Sequence, residues 1–282
     1  MWRRCEVYCG FYISFERCKI PWDDGILFLL ENINICLKGD IFIMDLQENV
    51  CIITARGGSK RIPRKNIKDF CGKPIIAYSI CAALNSGIFD EVMVSTDDQE
   101  IADVARRYGA KVPFLRSEKN SDDYATTADV LAEVLEEYAK QGRRFSAMCC
   151  IYPTAPFITA EKLRSAYKVF MDSNAEMLEP VVAYSYPPQR SFLLRDGNLV
   201  YQWPEYVRTR SQDLEPWYHD AGQFYFYNID MFNKSFKDDC PQRGYTLRTV
   251  PFVLNEIEVQ DIDNLSDWEL AEAKFRLLQK LD

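Results

Sequence analysis

The sequence of 282 residues predicts an α/β fold in which a mostly parallel β-sheet is flanked by helices. Short apolar runs alternate with longer segments of helical period, which is the order that parallel strands joined by crossover helices require. A basic loop containing two glycines follows the first of these runs, at the position where α/β sheets bind ligands. Hydrophobic residues make up 48% of the chain and charged residues 27%, as in globular proteins with a large core.

Predicted strands and helices alternate through the first half of the chain. The strands are predicted at Val50–Thr54, Glu91–Ser95, Val112–Leu115 and Ala147–Ile151. The helices are predicted at Pro74–Asn85, Gln99–Tyr108, Thr126–Lys140 and Thr159–Met171. This alternation indicates a Rossmann-like arrangement of the sheet and its helices.

The second half has a different pattern, and a small antiparallel insert is predicted at about residues 180–228. Pro180–Tyr184 and Gln223–Asn228 have strand character, and a hairpin is expected around Arg195–Asn198. Such an insert would extend the sheet or form a dimerisation arm. The chain closes with a helix that begins after Asn264, a good N-cap. Its apolar face is expected to pack on the core through Leu265, Trp268, Ala271, Phe275 and Leu278.

Residues 1–43 differ in character from the rest of the chain. Four of the ten cysteines lie there, namely Cys5, Cys9, Cys18 and Cys36, without a clear helical or strand period. We interpret Met44 as the natural start of the protein and residues 1–43 as an N-terminal extension. A small accessory segment packed on the domain is the alternative. Residues 44–282 are then expected to form one α/β domain.

Charge and cysteine usage exclude several classes of protein. A net charge of −8 argues against nucleic-acid binding, which needs a clustered excess of Lys and Arg. No apolar stretch reaches the roughly 20 residues of a membrane helix. The cysteines show no CxxC pairs, which favours reduced thiols over a disulfide framework or a zinc site. We therefore expect a cytoplasmic protein that binds small anions locally rather than nucleic acid or membranes.

The basic loop at residues 55–66 is the strongest functional signal. Gly57 and Gly58 allow backbone N–H groups to approach phosphate oxygens closely. The loop also concentrates five positive charges in an acidic protein, on Arg56, Lys60, Arg61, Arg64 and Lys65. Its spacing is neither that of a P-loop nor that of a dinucleotide-binding GxGxxG motif. A triphosphate-binding loop is predicted, and a solvated basic loop is the alternative.

Two aspartates near the C-terminus form a second signal. In an extended segment side chains alternate, so Asp261 and Asp263 share one face while Ile262 points into the core. Mg²⁺ commonly binds one or two carboxylates together with substrate phosphates. The pair is therefore a candidate metal site, and a charged loop capping the final helix is the alternative.

The motifs around these signals resemble those of a known enzyme family. Ala55–Asn66, followed by Phe70–Pro74, is similar to the signature of CMP-sialic acid synthetases and relatives that activate other nonulosonic acids. The resemblance continues through Ser95–Asp98, Ser121–Thr127 and Tyr152–Pro156 and covers about residues 50–282. It implies a fold of the nucleotide-diphospho-sugar transferase type.

The resemblance, together with the basic loop, assigns roles to individual residues. It implies nucleotide binding by Arg56, Gly57, Gly58, Ser59, Lys60, Lys65, Asn66, Arg116, Ser121, Asp122 and Tyr152. Tyr152 stands where many relatives have a Gln that contacts cytosine. The catalytic residues are expected to be Arg56, Lys65 and Asp261, and the family's Mg²⁺ site falls on Asp261 and Asp263.

Arg208–Asp213 and Tyr218–Tyr225 resemble the pseudaminic acid branch of the family more than the sialic acid branch. Arg61, at a position where relatives commonly have Gly, also indicates the pseudaminic acid branch. The predicted substrate-binding residues are Arg208, Arg210, His219 and Gln223. Arg208 and Arg210 are candidates for the sugar carboxylate because a guanidinium group binds a carboxylate through two parallel hydrogen bonds.

The predicted reaction is transfer of CMP from CTP to the anomeric hydroxyl of an acidic nine-carbon sugar, most closely pseudaminic acid. Sialic or legionaminic acid, or the eight-carbon acid Kdo, are the alternative substrates. A non-catalytic nucleotide-binding protein on the same fold is the alternative of a different class. Because relatives are commonly dimers whose insert reaches the neighbouring site, the resemblance also implies a homodimer.

Overall fold

The structure, a computed structural model, describes residues 48–237 and 247–280 together with the backbone of four short strands before them. The chain divides into two compact units, Met1–Gln47 and Glu48–Asp282. The first unit contains an antiparallel sheet whose strands pair in chain order, β1 (Val7–Tyr8), β2 (Phe11–Ser14), β3 (Asn34–Leu37) and β4 (Asp40–Ile43). Met44, the predicted start, lies outside the described residues, as do the side chains of the unit's cysteines.

The second unit is built around a seven-stranded, mostly parallel sheet. The strands of this unit are β5 (Asn49–Thr54), β6 (Asp69–Phe70), β7 (Lys73–Pro74), β8 (Glu91–Ser95), β9 (Ala147–Ile151), β10 (Met177–Ala183), β11 (Phe192–Arg195), β12 (Asn198–Tyr201), β13 (Tyr218–Asp220), β14 (Phe224–Asn228) and β15 (Thr249–Leu254). In the sheet, β5 lies between its parallel neighbours β8 and β9. β14 is antiparallel to β9 and β10, β13 is antiparallel to β10, and β15 is parallel to β10.

Helices cover both faces of this sheet. They are α1 (Ile76–Ser86), α2 (Gln99–Arg107), α3 (Thr127–Lys140), α4 (Ala160–Asp172), α5 (Ile229–Lys237) and α6 (Leu265–Leu278). On β5, Cys51 and Ile53 pack in one apolar cluster with α1, α2 and α4, while Val50 and Ile52 pack in another with α3 and α5. A parallel strand buried on both faces is typical of α/β folds, so the predicted fold class is confirmed. No helix in the described residues is long and apolar enough to span a membrane.

Most predicted elements are confirmed within one or two residues, but three expectations were wrong or incomplete. Val112–Leu115 is not a strand: only Lys111 bridges to Met93, and the following Pro113 has no N–H to continue a ladder. Leu265 does not pack on the core, because its side chain is 58% exposed in the first turn of α6. Helix α5 and strands β6, β7, β13 and β15 were not predicted, and β10 begins three residues before the predicted Pro180.

The other predicted contacts of the closing helix are confirmed. Trp268 and Ala271 are buried, and Phe275 and Leu278 pack against their cluster. Asn264 caps the helix by accepting a hydrogen bond from the backbone N–H of Asp267 at 3.1 Å. This helix therefore holds the acidic segment before it, residues 255–263, against the body of the domain.

The segment assigned to an insert, residues 180–228, contributes three strands to the main sheet, namely β10, β13 and β14. Its separate part is the antiparallel hairpin of β11 and β12, which turns at Asp196 and Gly197 as the sequence predicted. Four apolar side chains of this hairpin are exposed: Phe192, Leu194, Leu199 and Val200.

A buried carboxylate ties three elements together at the amino end of β8. Glu91, 3% exposed, accepts hydrogen bonds from the Tyr138 hydroxyl at 2.6 Å and from Lys111 Nζ at 2.9 Å, and it also pairs with Arg143. Burial alone would raise the pKa of Glu91, but these hydrogen bonds outweigh it and the pKa is lowered. A carboxylate with a lowered pKa stabilises the fold above its unfolded pKa of about 4.3 and loses this contribution as the pH falls through the folded value.

We therefore predict that Glu91→Gln lowers the free energy of unfolding by about 2 kcal/mol at pH 7, since it weakens buried hydrogen bonds to charged groups. The difference should shrink as the pH falls below about 4. Urea denaturation at several pH values measures it. Glu137→Gln, which removes an exposed ion pair with Lys140, is the control and should change stability by less than about 0.5 kcal/mol. An equal effect of the two substitutions would contradict the role of Glu91.

Candidate active site

Four loops meet at one edge of the sheet, where β5, β8, β9 and β15 end. The basic loop at residues 55–66 follows β5, residues 96–98 follow β8, residues 152–156 follow β9, and residues 255–263 follow β15. Because parallel strands end at the same edge, these loops lie at the edge where α/β folds bind ligands, and we call the surface between them the crevice. The sheet therefore brings together the two signals that the sequence separates by about 200 positions.

The first turn of the basic loop packs directly on the end of β8. The Gly57 N–H donates to Asp97 Oδ1 at 2.8 Å. A Cβ atom at Gly57 would lie 2.9 Å from Asp98 Oδ2 and 3.0 Å from Asp98 Cβ, so this position requires glycine for close approach. Gly58 has no such neighbour and faces open space.

The rest of the loop is closed by its own hydrogen bonds. The Ser59 hydroxyl donates to the Ile62 carbonyl at 2.6 Å, and the buried Asn66 donates from Nδ2 to the Arg56 carbonyl at 2.8 Å. Ser59 and Asn66, two of the predicted nucleotide contacts, thus also shape the loop. Their bonds fold its two ends onto each other and leave the cationic side chains on its surface.

Lys65 joins the basic loop to the acidic segment. Its Nζ donates to the Ile262 carbonyl at 2.7 Å, between the two candidate metal ligands. Ile262 is 1% exposed, as expected from the alternation, and Asp261 and Asp263 lie on the outer side of the segment. Burial lowers the pKa of Lys65, and the negative charges of Asp263 and Asp261 offset part of that effect.

Carboxylates from neighbouring loops pair with the other loop cations. Arg61 Nη1 lies 2.7 Å from Asp263 Oδ2, and Arg56 Nη1 lies 2.9 Å from Asp123 Oδ1. Lys60 pairs with the second oxygen of Asp123. These pairs are exposed and therefore weak, so an anion of higher charge can replace them.

The predicted pocket residues Ser121 and Asp122 make local bonds. The Ser121 hydroxyl donates to the Ser117 carbonyl, and the Asp122 side chain accepts from the N–H groups of Tyr124 and Ala125. Asp122 reaches the basic loop only through its carbonyl, which accepts from Arg56 at 2.9 Å. Asp123, which the sequence reasoning missed, is the residue of this loop whose side chain contacts the basic loop.

Arg116 lies buried at the end of β8. Its Nε donates to the Ser95 hydroxyl at 3.0 Å and its Nη2 to the Ser95 carbonyl at 2.6 Å. Burial lowers the pKa of Arg116, and the negative charge of Asp97 opposes the shift. The guanidinium group therefore supplies a fixed, partly desolvated positive charge beneath the crevice.

Aromatic and amide side chains form the other side of the crevice. The ring of Tyr152 packs edge to face on Tyr225, with centroids 5.5 Å apart, and the Tyr225 hydroxyl donates to Asp220 Oδ2 at 2.6 Å. Burial raises the pKa of Tyr152. Gln223 is 3% exposed and donates to the Glu258 carbonyl, while its Oε1 has no hydrogen-bond partner among the described residues.

The remaining predicted sugar contacts lie towards the insert. His219 is exposed on β13, with its ring 4.7 Å from that of Tyr184. Arg210 is held by Asp213 at 2.7 Å, and Arg208 is exposed in the same loop. These three side chains thus lie on the surface, whereas Gln223 lies at the start of β14, where its carbonyl accepts from the Tyr152 N–H.

The donor set of the acidic segment suits a hard cation that also binds substrate. Asp261 and Asp263 offer carboxylate oxygens on one side of the chain. Within residues 48–237 and 247–280 no group of three or more metal-binding side chains is found. Further ligands would have to come from substrate phosphates and water, which is the usual coordination of Mg²⁺ in nucleotide enzymes.

Comparison with known proteins decides the family. The cytidylyltransferase family model matches residues 50–202. The chain belongs to the cytidylyltransferase family. The predicted family resemblance, and the class of enzyme that it implies, are therefore confirmed.

This cytidylyltransferase is also similar to individual proteins, two of them curated relatives and one a solved structure. It is 45% identical to the pseudaminic acid cytidylyltransferase of Campylobacter jejuni over 231 residues, 82% of this chain and 97% of that protein. It is 35% identical to the CMP-N,N'-diacetyllegionaminic acid synthase of Legionella pneumophila over 240 residues, 82% of this chain and 97% of that protein. The fold is similar to CMP:2-keto-3-deoxy-manno-octonic acid synthetase complexed with CTP, with a TM-score of 0.61, 19% identity, and coverage of 82% of this chain and 99% of that one.

The close approach at Gly57 gives a direct test of the loop geometry. We predict that Gly57→Ala lowers the free energy of unfolding by about 1 to 3 kcal/mol, because the new methyl group collides with the Asp98 carboxylate. Gly58→Ala is the matched control, and its effect should stay within about 0.5 kcal/mol because that methyl group meets open space. Thermal denaturation of the three proteins measures both. Equal stability of the two variants would show that the loop does not pack on β8 in this way.

Proposed function

We propose that the protein transfers CMP from CTP to the anomeric hydroxyl of pseudaminic acid, giving CMP-pseudaminic acid and pyrophosphate. The observation that carries the proposal is the 45% identity with the Campylobacter jejuni enzyme over nearly all of that enzyme's length. The crevice agrees with it, because it combines a cationic loop for a triphosphate with acidic side chains for a divalent cation.

The triphosphate of CTP would lie along the basic loop. Gly58 is exposed there and offers its backbone, while Arg56 and Lys60 give up Asp123 for phosphate oxygens. The exchange is favourable because a polyphosphate carries more charge than one exposed carboxylate. Arg116 is fixed by Ser95 and would add a positive charge beneath the nucleotide without moving.

Mg²⁺ fits the outer side of the acidic segment. Asp261 and Asp263 would hold it, with phosphate oxygens completing its coordination. Arg61 pairs with Asp263 and its side chain is 68% exposed, so it can swing away when the ion binds. When bound, the cation would neutralise charge on the phosphates and orient the α-phosphate for attack.

The chain's own residues then position the reactants and stabilise charge. The anomeric oxygen attacks the α-phosphorus, the bond from that phosphorus to the bridging oxygen of the β-phosphate breaks, and pyrophosphate leaves. Arg56 and Lys65 offset the charge that develops on the leaving group. The proton of the sugar hydroxyl passes to water or to a carboxylate at this edge of the sheet.

The sugar would lie near Gln223, at the start of β14, and the loop that carries Arg208 and Arg210. Gln223 offers a buried carbonyl oxygen with no partner among the described residues, which suits an N–H or O–H donor of the sugar. Arg208 and Arg210 would meet the sugar carboxylate, with Arg210 leaving Asp213 to do so, and His219 would lie beside them. Tyr152, supported by Tyr225, would take the place from which relatives contact the base.

Legionaminic acid is the second candidate substrate, because the Legionella pneumophila synthase is 35% identical. Kdo is less well supported, since the similarity to the Kdo enzyme's structure, at 19% identity, concerns the fold alone. Sialic acid stays a further alternative. A non-catalytic nucleotide-binding protein would have no use for Asp261 and Asp263 beside an intact basic loop.

Pyrophosphate release from CTP and Mg²⁺ tests the function, with pseudaminic, legionaminic and N-acetylneuraminic acids and Kdo supplied separately. We expect release with pseudaminic acid only. Asp261→Asn should lower kcat about a hundredfold, the loss typical of removing one charge-stabilising group, and EDTA should abolish turnover. Glu256→Gln, an exposed neighbour on the same segment, is the control and should retain activity. Pyrophosphate release with another sugar would show that this sugar is the substrate. Full activity of Asp261→Asn would contradict the role of Asp261 as a ligand of the catalytic Mg²⁺.

We also propose that the protein is a homodimer that works in the cytoplasm, where CTP is made and thiols stay reduced. The described cysteines are free: Cys51, Cys71, Cys81, Cys149 and Cys150. The hairpin of β11 and β12 supports the dimer because it exposes apolar side chains on a projecting element, as interfaces between subunits do.

Light scattering tests the dimer. The wild type should have the mass of two chains, and Leu194→Asp with Leu199→Asp should shift it to one, because two charges would be buried at the interface. Leu270→Asp places a charge on the exposed side of α6 and serves as the control, which should leave the mass unchanged. A wild-type monomer with full activity would refute the dimer.

A further inference from the structure

Asp98 joins three separate parts of the candidate active site. Its carboxylate accepts the N-cap hydrogen bond from the Ile101 N–H at 3.0 Å, which starts α2. The same carboxylate accepts two bonds from Arg64, at 2.5 Å to Oδ2 and 2.9 Å to Oδ1. Its Oδ2 is also the atom that a side chain at Gly57 would meet at 2.9 Å. The beginning and the end of the basic loop therefore pack against one side chain.

The backbone of Arg64 is in an unfavourable conformation. Its φ of 57° lies in the left-handed region, which residues other than glycine and asparagine rarely adopt. The bidentate pair with Asp98 holds Arg64 there, and Glu100 adds a second, more exposed carboxylate. A strained residue persists where its surroundings fix it, and such positions often occur at functional sites.

This conformation sets the direction of the residues that follow. Arg64 is the N-terminal cap of a short 3₁₀ turn, Lys65–Ile67, and its carbonyl accepts from the N–H groups of Ile67 and Lys68 at 3.0 Å each. The turn carries Lys65, which reaches the acidic segment, and Asn66, which reaches back to Arg56. A change of backbone conformation at Arg64 would therefore move both side chains.

Helix capping alone does not account for this arrangement. Thr126, Thr159 and Asn264 cap α3, α4 and α6 by accepting the same kind of hydrogen bond, and none of them pairs with an arginine. Asp98 is only partly buried, yet the Arg64 guanidinium lowers its pKa to about 2. The carboxylate thus remains charged, and paired, over the whole range in which an enzyme of this kind works.

We propose that Asp98 is a positioning residue for nucleotide binding: by pairing with Arg64 it fixes the basic loop so that Lys65 reaches the acidic segment and Asn66 holds the backbone of Arg56, beside which the triphosphate binds. The proposal rests on the proposed function in taking CTP as the ligand. Asp98 itself contacts neither substrate and acts through Arg64. The pairing of Asp98 with Arg64 also explains why the loop needs glycine at position 57, since the carboxylate held by Arg64 leaves no room for a methyl group.

The experiment is titration of the purified full-length protein with CTP and Mg²⁺, without sugar, by isothermal calorimetry, together with thermal denaturation. Asp98→Asn keeps a good N-cap and the shape of the side chain but loses the charged pair. Arg64→Asn tolerates the left-handed conformation but lacks the guanidinium group. Each substitution is expected to raise the Kd for CTP about tenfold, and the double variant to raise it no further than about twofold beyond the single ones, because both remove the same interaction.

Two controls separate positioning from stability. Glu100→Gln removes the exposed second partner of Arg64 and should change the Kd less than twofold. Thr159→Ala removes a helix cap away from the basic loop and should lower the melting temperature without changing the Kd. Titrations are run well below the melting temperature of every variant, so a merely structural role would alter melting but leave the Kd unchanged.

The titrations can contradict the positioning role of Asp98 separately from the proposed function. Unchanged affinity in Asp98→Asn and Arg64→Asn would overturn the proposal while the proposed function stood. Tighter binding in Asp98→Asn would also overturn it, because Asp98 would then be competing with phosphate for Arg64. Wild-type protein that fails to bind CTP would overturn the proposed function together with this inference.

Discussion

The pairing of loop cations with carboxylates from other loops is the interaction on which the rest of the site depends. Five positive charges within ten residues would repel one another and drive the basic loop apart. The fold prevents this by bringing Asp98, Asp123 and Asp263 to it from three different loops. Asp98 follows β8 and Asp263 follows β15, and both strands run in the same direction as β5 and end at the same edge of the sheet. The direction of these strands therefore helps to determine the electrostatics of the crevice.

The pairs differ in exposure, and this difference matters for binding. The side chain of Asp98 is 22% exposed, whereas that of Asp123 is 48% exposed. The more exposed pair costs little to break, so Arg56 and Lys60 can exchange Asp123 for a phosphate. The bidentate Arg64 pair resists exchange and keeps the backbone in place. One loop thus combines a fixed framework with side chains that are free to change partner.

Much of the fold and part of the site could be predicted from the sequence, and the failures have physical causes. The β5, β8 and β9 runs are continuous and apolar because both of their faces are buried, so they stand out. β15 alternates exposed and partly buried residues at the edge of the sheet and gives a weaker signal. Glycine and charge identified the basic loop, but nothing in the local pattern links Arg56 to Asp123, which lies 67 residues away. The roles predicted for individual site residues stay predictions.

The position of β15 has a consequence for how the protein matures during synthesis. This strand pairs with β10 and delivers the segment that carries Asp261 and Asp263, and Lys65 bonds to a carbonyl 197 residues further along the chain. Contacts of such separation close late, because the intervening chain must first be ordered. On the ribosome the early strands and their basic loop can fold long before their acidic counterpart emerges. The nascent chain would thus expose a basic loop in which Arg61 and Lys65 still lack their partners, and the enzyme would become competent only when β15 has docked.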